Sequence, residues 1–257
     1  MKRFWKNNKY FIIAFGVILI FAIYYVVMLR MSVNHYIVEF EDKYGVKEQT
    51  ETEGVDLYRV PGYHELLKEQ GMLDGLIRLA KSDSVNLFLN LPEKSAQLMI
   101  KGVAVRNVPL QEMTTDALFR RATDEALYNW LSEPLQIVGG MATIDKEPVT
   151  VVIAPKDTSD EVPEVVPDTL QKEPVFFILE TNRDLRLYFY QTDPGERGEV
   201  YDFNRRYRYR EAREALKAIL SFKAPEYTPT LFIGLSKEDA QVIYRALPQQ
   251  GQIVITL

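Results

Sequence analysis

Hydrophobic and polar positions follow three different rhythms along this chain. Residues 11–29, FIIAFGVILIFAIYYVVML, contain no charge over 19 positions. As a helix rising ~1.5 Å per residue they would cover about 28 Å, close to the hydrocarbon thickness of a bilayer. A polar, mixed stretch follows at 31–60 and reads as a connecting segment. Next, PGYHELLKEQGMLDGLIRLAKSDS places Leu66, Leu67, Met72, Leu73, Leu76, Ile77 and Leu79 near helical spacing. This predicts a helix over 64–82, weakened by Gly71 and Gly75.

From Ser84 the period falls to two. SVNLFLNL sets Val85, Leu87, Leu89 and Leu91 against Asn86, Phe88 and Asn90. With the turn PEKS and the segment AQLMIKG this predicts an antiparallel hairpin, which VAVRNVPL extends. Residues 115–134 read as one helix, with Thr114 or Thr115 as N-cap, Pro134 past its end, and Leu118, Ala122, Leu127 and Leu131 facing the core. EPVTVVIAP and EPVFFILETNRDLRLYFYQTD read as strands, the second folding into a hairpin that turns at residues 182–184. The stretch between them carries four Pro (counting Pro155 and Pro174) and six acids without hydrophobic period, an exposed loop at about 155–174. The final stretch, LFIGLSKEDAQVIYRALPQQGQIVITL, reads as strand, capped helix, turn and strand.

Charge gives the apolar segment a direction. The first 30 residues hold five of the 31 basic residues and no acid, so the remaining 227 carry a balance of −10. Lys2, Arg3, Lys6 and Lys9 precede the segment, which places the N-terminus in the cytoplasm and the rest across the membrane. Trp5, Tyr10 and Tyr36 suit interfacial belts. A cleavable signal peptide is the rival reading, but VVMLRMSVNHY offers no small-residue cleavage pattern. No small-xxx-small pair marks the segment for helix dimerisation. The expected organisation is a tip and anchor at 1–30, a linker and helix at 31–83, and an exported β-rich α+β domain at 84–257. The expected location is a bacterial cell membrane, single-pass, with the domain periplasmic or extracellular.

Composition removes several chemistries. The chain has no cysteine, which excludes disulfides, thiolate metal sites and a cysteine nucleophile. His35 and His64 are its only histidines. An acidic exported part argues against nucleic acid as a partner. No phosphate-binding loop, dinucleotide fingerprint, zinc-protease or serine-hydrolase motif is present, and no metal or cofactor is expected. Gly139 and Gly140 read as a turn or bulge. Glu180, Asp184, Asp193 and Glu196 fall in or near turns, where solvation is the simplest account. The sharpest candidate lies in DFNRRYRYREAREALKAIL, where Arg205, Arg206, Arg208 and Arg210 interleave with Tyr207 and Tyr209. Such a run can grip phosphates, carboxylates or glycan rings; it also reads as a strand edge leading into a solvated helix.

The segment SKEDAQVIYRALPQQGQIVI, residues 236–255, resembles the tail of the L,D-transpeptidase catalytic domain, and NLPEKSAQLMIKGVAVRNVPL is loosely similar to that family's first hairpin. In the family a cysteine, an arginine and a histidine precede the tail. Those positions align near Phe232, near Gly234 and around Pro229 or Thr230, so all three catalytic groups are absent here. The resemblance implies a non-catalytic relative that binds or scaffolds at the cell envelope, with peptidoglycan as a partner and a groove near Phe232 as its site. Two other readings stand beside it. One is a subunit of an envelope assembly whose anchor and 64–82 helix bind a membrane protein; the other is a carboxylate-based hydrolase.

Overall fold

The computed structural model describes residues 9–45, 62–146, 174–193 and 197–257. The chain adopts a mixed α+β fold, with an N-terminal apolar helix and a nine-stranded sheet. The strand expected at 147–155, the loop at about 155–174 (save Pro174) and the basic tip at 1–8 lie outside the described residues.

Helix α1 (Lys9–Tyr44) does not stop at the end of the apolar stretch. It runs on through the first part of the expected connecting segment. The physical reason is a second stripe: Val33, Tyr36, Ile37, Phe40 and Tyr44 recur at steps of three and four and pack against the main core. Among the described residues, α1 is the one helix long and apolar enough to cross a membrane.

Strands β1 (Val85–Asn90), β2 (Ser95–Ile100) and β3 (Val103–Pro109) form the expected antiparallel meander. β4 (Glu112–Thr115), β5 (Leu135–Ala142), β6 (Phe176–Thr181), β7 (Arg186–Gln191), β8 (Thr230–Leu235) and β9 (Gln252–Thr256) complete the sheet. The order is β3-β2-β1-β9-β5-β6-β7-β8-β4. β9 therefore lies in the middle, parallel to β1 and antiparallel to β5. β6 and β7 make the expected hairpin, with Asp184 at φ 61° in its turn. Gly139 belongs to a bulge, as expected, where the β5–β6 register shifts.

Alternation along the strands divides two apolar layers. Leu87, Phe177, Leu187, Ile233 and Ile253 enter the main core with α1, α3 (Ala117–Arg121), α4 (Asp124–Leu131) and α6 (Lys237–Ala246). Their neighbours point the other way. Phe88, Met99 and Val254 meet α2 (Tyr63–Ala80), while Phe176, Ile178 and Tyr188 meet α5 (Arg197–Leu220). Inner strands covered on both faces are buried almost throughout, which hides their alternation in the sequence. Gly75 lets α2 approach closely, since a Cβ there would lie 2.8 Å from Val254 Cγ1.

The single helix expected over 115–134 is two. Thr114 and Thr115 belong to β4, and Asp116 caps α3 by accepting from the Leu118 amide at 3.0 Å. Ala122 turns extended and Thr123 caps α4. Ser236 caps α6 as anticipated.

Candidate functional site

All six residues of the arginine–tyrosine run lie inside α5, so the strand edge considered for them does not form. At ~100° per residue a helix must divide such a run between its faces. Arg205, Arg206, Tyr209 and Arg210 point to solvent, with Tyr209 72% exposed. Tyr207 turns toward the sheet, and Arg208, though exposed, reaches one of the sheet's side chains. The Tyr207 ring meets Tyr188 edge-on at 5.6 Å, and Tyr188 stacks on Phe232 at 4.6 Å. The Arg208 guanidinium lies 5.4 Å from the Phe232 ring centre. The structure thus brings Phe232 together with Tyr207 and Arg208, and leaves the other four apart. Phe232, partly buried, packs in the seam between sheet and helix.

Beneath this seam Arg186 spans two carboxylates, Glu180 at 3.2 Å and Glu211 at 2.9 Å. The Tyr188 hydroxyl donates to Glu211 at 3.3 Å. Glu180, its side chain 45% exposed, also pairs with Arg186, and Asp193 accepts from the Lys237 amide at 2.6 Å. Burial is the main cause that pushes both phenols, Tyr188 and Tyr207, above their usual range. Neutral phenols and arginine-paired carboxylates make this a polar joint between sheet and helix. No cluster of three or more His, Asp or Glu side chains that could hold a metal occurs among the described residues.

Desolvation raises Tyr36 and Tyr227 as well. A phenol whose folded pKa lies above its unfolded value of ~10 stabilises the fold fully below that pH. The contribution drains as pH climbs past ~10, at up to about 1.4 kcal/mol per pH unit per phenol. Urea unfolding at pH 9, 10 and 11 should therefore show a falling stability. Tyr188→Phe should make that fall shallower; an unaltered slope would contradict the assignment.

The larger joint was not anticipated from sequence. Phe40 of α1 meets Trp130 edge-on at 5.2 Å and Tyr44 at 5.0 Å. Tyr36 meets Tyr227 edge-on at 5.1 Å. The Tyr227 hydroxyl donates to Asp116 at 2.5 Å, and the same carboxylate oxygen accepts from the Thr230 amide at 2.8 Å. Asp116 thereby ties α3 to the start of β8. Glu41 accepts from both the amide and the hydroxyl of Thr123, at 2.6 and 2.8 Å, at the head of α4. The Ser32 hydroxyl donates to the Pro225 carbonyl at 2.5 Å, and Arg121 donates to Asn34 at 2.7 Å. The spacing of Tyr36, Ile37, Phe40 and Tyr44 was a legible signal for this joint. Its polar partners had none.

A third feature lies on α2. Met72, Leu76 and Leu79 face the sheet, while Leu66, Leu73 and Ile77 form an exposed stripe on the opposite side. No protein-family model matches this chain, and neither a curated protein nor a solved structure matches it. The likeness to the transpeptidase family therefore rests on residues 236–255, and loosely 90–110, alone.

Proposed function

We propose that this protein is a single-pass, non-catalytic subunit of a cell-envelope assembly, with a domain mounted rigidly over the bilayer by its own anchor. One observation carries the reading: α1 passes without a break from the uncharged stretch into the domain core, where Ile37 and Phe40 are buried. A binder that searches for a distant polymer needs a slack tether. The 14 helical residues from 31 to 44 supply about 21 Å of stiff rise instead. Such a mount fixes height and orientation, which suits a partner in or on the same membrane. The exposed stripe of α2 gives that partner an apolar surface. The basic tip keeps the N-terminus cytoplasmic and the domain outside.

Peptidoglycan binding by a transpeptidase-like relative is the second reading. The outward face of α5, with Arg205, Arg206, Tyr209 and Arg210, supports it. The carboxylate hydrolase is the weakest reading, because Glu180 and Glu211 are held by Arg186.

A photo-crosslinker at Leu73, in full-length protein in its native membranes, should give one discrete adduct. A flexible Gly/Ser insertion after Met31 should abolish it. Absence of any adduct at Leu66, Leu73 and Ile77, with retention of the protein on purified peptidoglycan at low salt, would overturn the proposal in favour of the second reading.

A further inference from the structure

We infer that the C-terminal end of α5 is a second membrane contact, with Leu220 and Phe222 seated in the lipid at the headgroup–acyl boundary beside α1. The inference rests on the reading of α1 as a bilayer-spanning helix.

The first ground is position. The Phe222 ring lies 6.5 Å from that of Tyr24, inside the uncharged stretch of α1. Tyr24 precedes Arg30 by six residues, or about 9 Å along a helix axis. The segment after α5 then climbs α1, with Pro225 bonded at Ser32 and Tyr227 against Tyr36. Tyr24, Tyr25, Met28 and Leu29 are accordingly half-covered, whereas Ile23, Val26 and Val27 are exposed. A bilayer around the uncharged stretch therefore reaches the level of Phe222.

The second ground is conformation. Phe222 donates its amide to the Ile219 carbonyl at 3.0 Å, and Lys223 donates to Ala218 at 2.9 Å. This is a Schellman turn, and Phe222, at φ 56°, occupies the left-handed position that glycine usually takes. A bulky side chain is strained there. Within the fold it gains little in return, because Phe222 is 85% exposed and Leu220 59% exposed. Lipid would cover both.

The third ground is reach. Lys217 and Lys223 flank the apolar pair, Lys217 also pairing with Glu214 at 2.9 Å, and their long stems can carry a charged head up to the headgroup layer.

The chain contains no cysteine, so each cysteine introduced is a unique labelling site. Nitroxides would be placed at Ile20, Tyr209 and Phe222 of the full-length protein, in nanodiscs of phosphatidylcholine and phosphatidylglycerol. Power saturation against oxygen and a water-soluble nickel chelate then reads depth. The labels at Ile20 and Phe222 should favour oxygen, and the label at Tyr209 should favour nickel. A Phe222 label as open to nickel as that at Tyr209, with Ile20 still in lipid, would overturn this inference alone. A nickel-accessible Ile20 would overturn the anchor reading beneath it. In a second test the native Phe222 is kept and Ser221 is labelled. Adding Phe222→Gly, which suits the turn, should raise nickel access several-fold, and no change would count against the contact.

Discussion

Phe40→Ala is expected to cost about 3–5 kcal/mol of folding stability, the usual penalty for emptying a buried aromatic site. Phe40 is 3% exposed and sits among Tyr36, Tyr44 and Trp130. The cavity would open at the joint that holds α1 to the domain, so the loss should be local as well as global. Denaturant unfolding of the full-length protein in detergent measures the first. Limited proteolysis within residues 31–45 measures the second, because an undocked segment becomes a substrate. Phe40→Leu retains most of the volume and should cost far less. Equal losses for both variants would show that the ring is not a wedge in this joint.

Gly140→Ala should be at least as damaging, for a different reason. A Cβ at Gly140 would lie 2.2 Å from the Ile178 carbonyl oxygen, a backbone atom that no rotamer change can move. The pairing of β5 with β6 would have to part beside an existing bulge, near the centre of the sheet. The expectation is a loss above ~3 kcal/mol, in the upper range for single substitutions, or failure to accumulate folded protein. Gly139→Ala is the control, because its nearest contact would be the Glu180 Oε2 atom at 3.5 Å, ordinary packing distance. Thermal unfolding of the two variants side by side decides the matter, and similar midpoints would refute the steric argument.

Elements governed by local chemistry were the ones legible in the sequence. The closing strand, Ser236-capped helix and final strand appear where the residues place them, as do the β1–β2 and β6–β7 hairpins. Errors arose where a distant partner decides the outcome. Residues 32–44 look polar because only one face of that helix is covered, and the surface covering it comes from residues more than eighty positions away. Asp116 displaces Thr115 as a cap because its other oxygen is engaged by Tyr227 and Thr230. For the candidate site, residue types pointed to Arg205–Arg210 and Phe232 separately. That Tyr207 and Arg208 alone meet Phe232 depends on α5 being helical throughout and on Tyr188 lying between them.

The place of β9 sets a condition on biosynthesis. It stands between β1 and β5, so among the described strands it is the sole link joining β3-β2-β1 to the other five. Until residues 252–256 have been made, the two half-sheets share no edge among the described strands. A product interrupted before that point would display bare strand edges at β1 and β5, the kind of surface that invites aggregation and degradation. Joining of the described strands into one sheet therefore waits on residues 252–256, however early the two halves form.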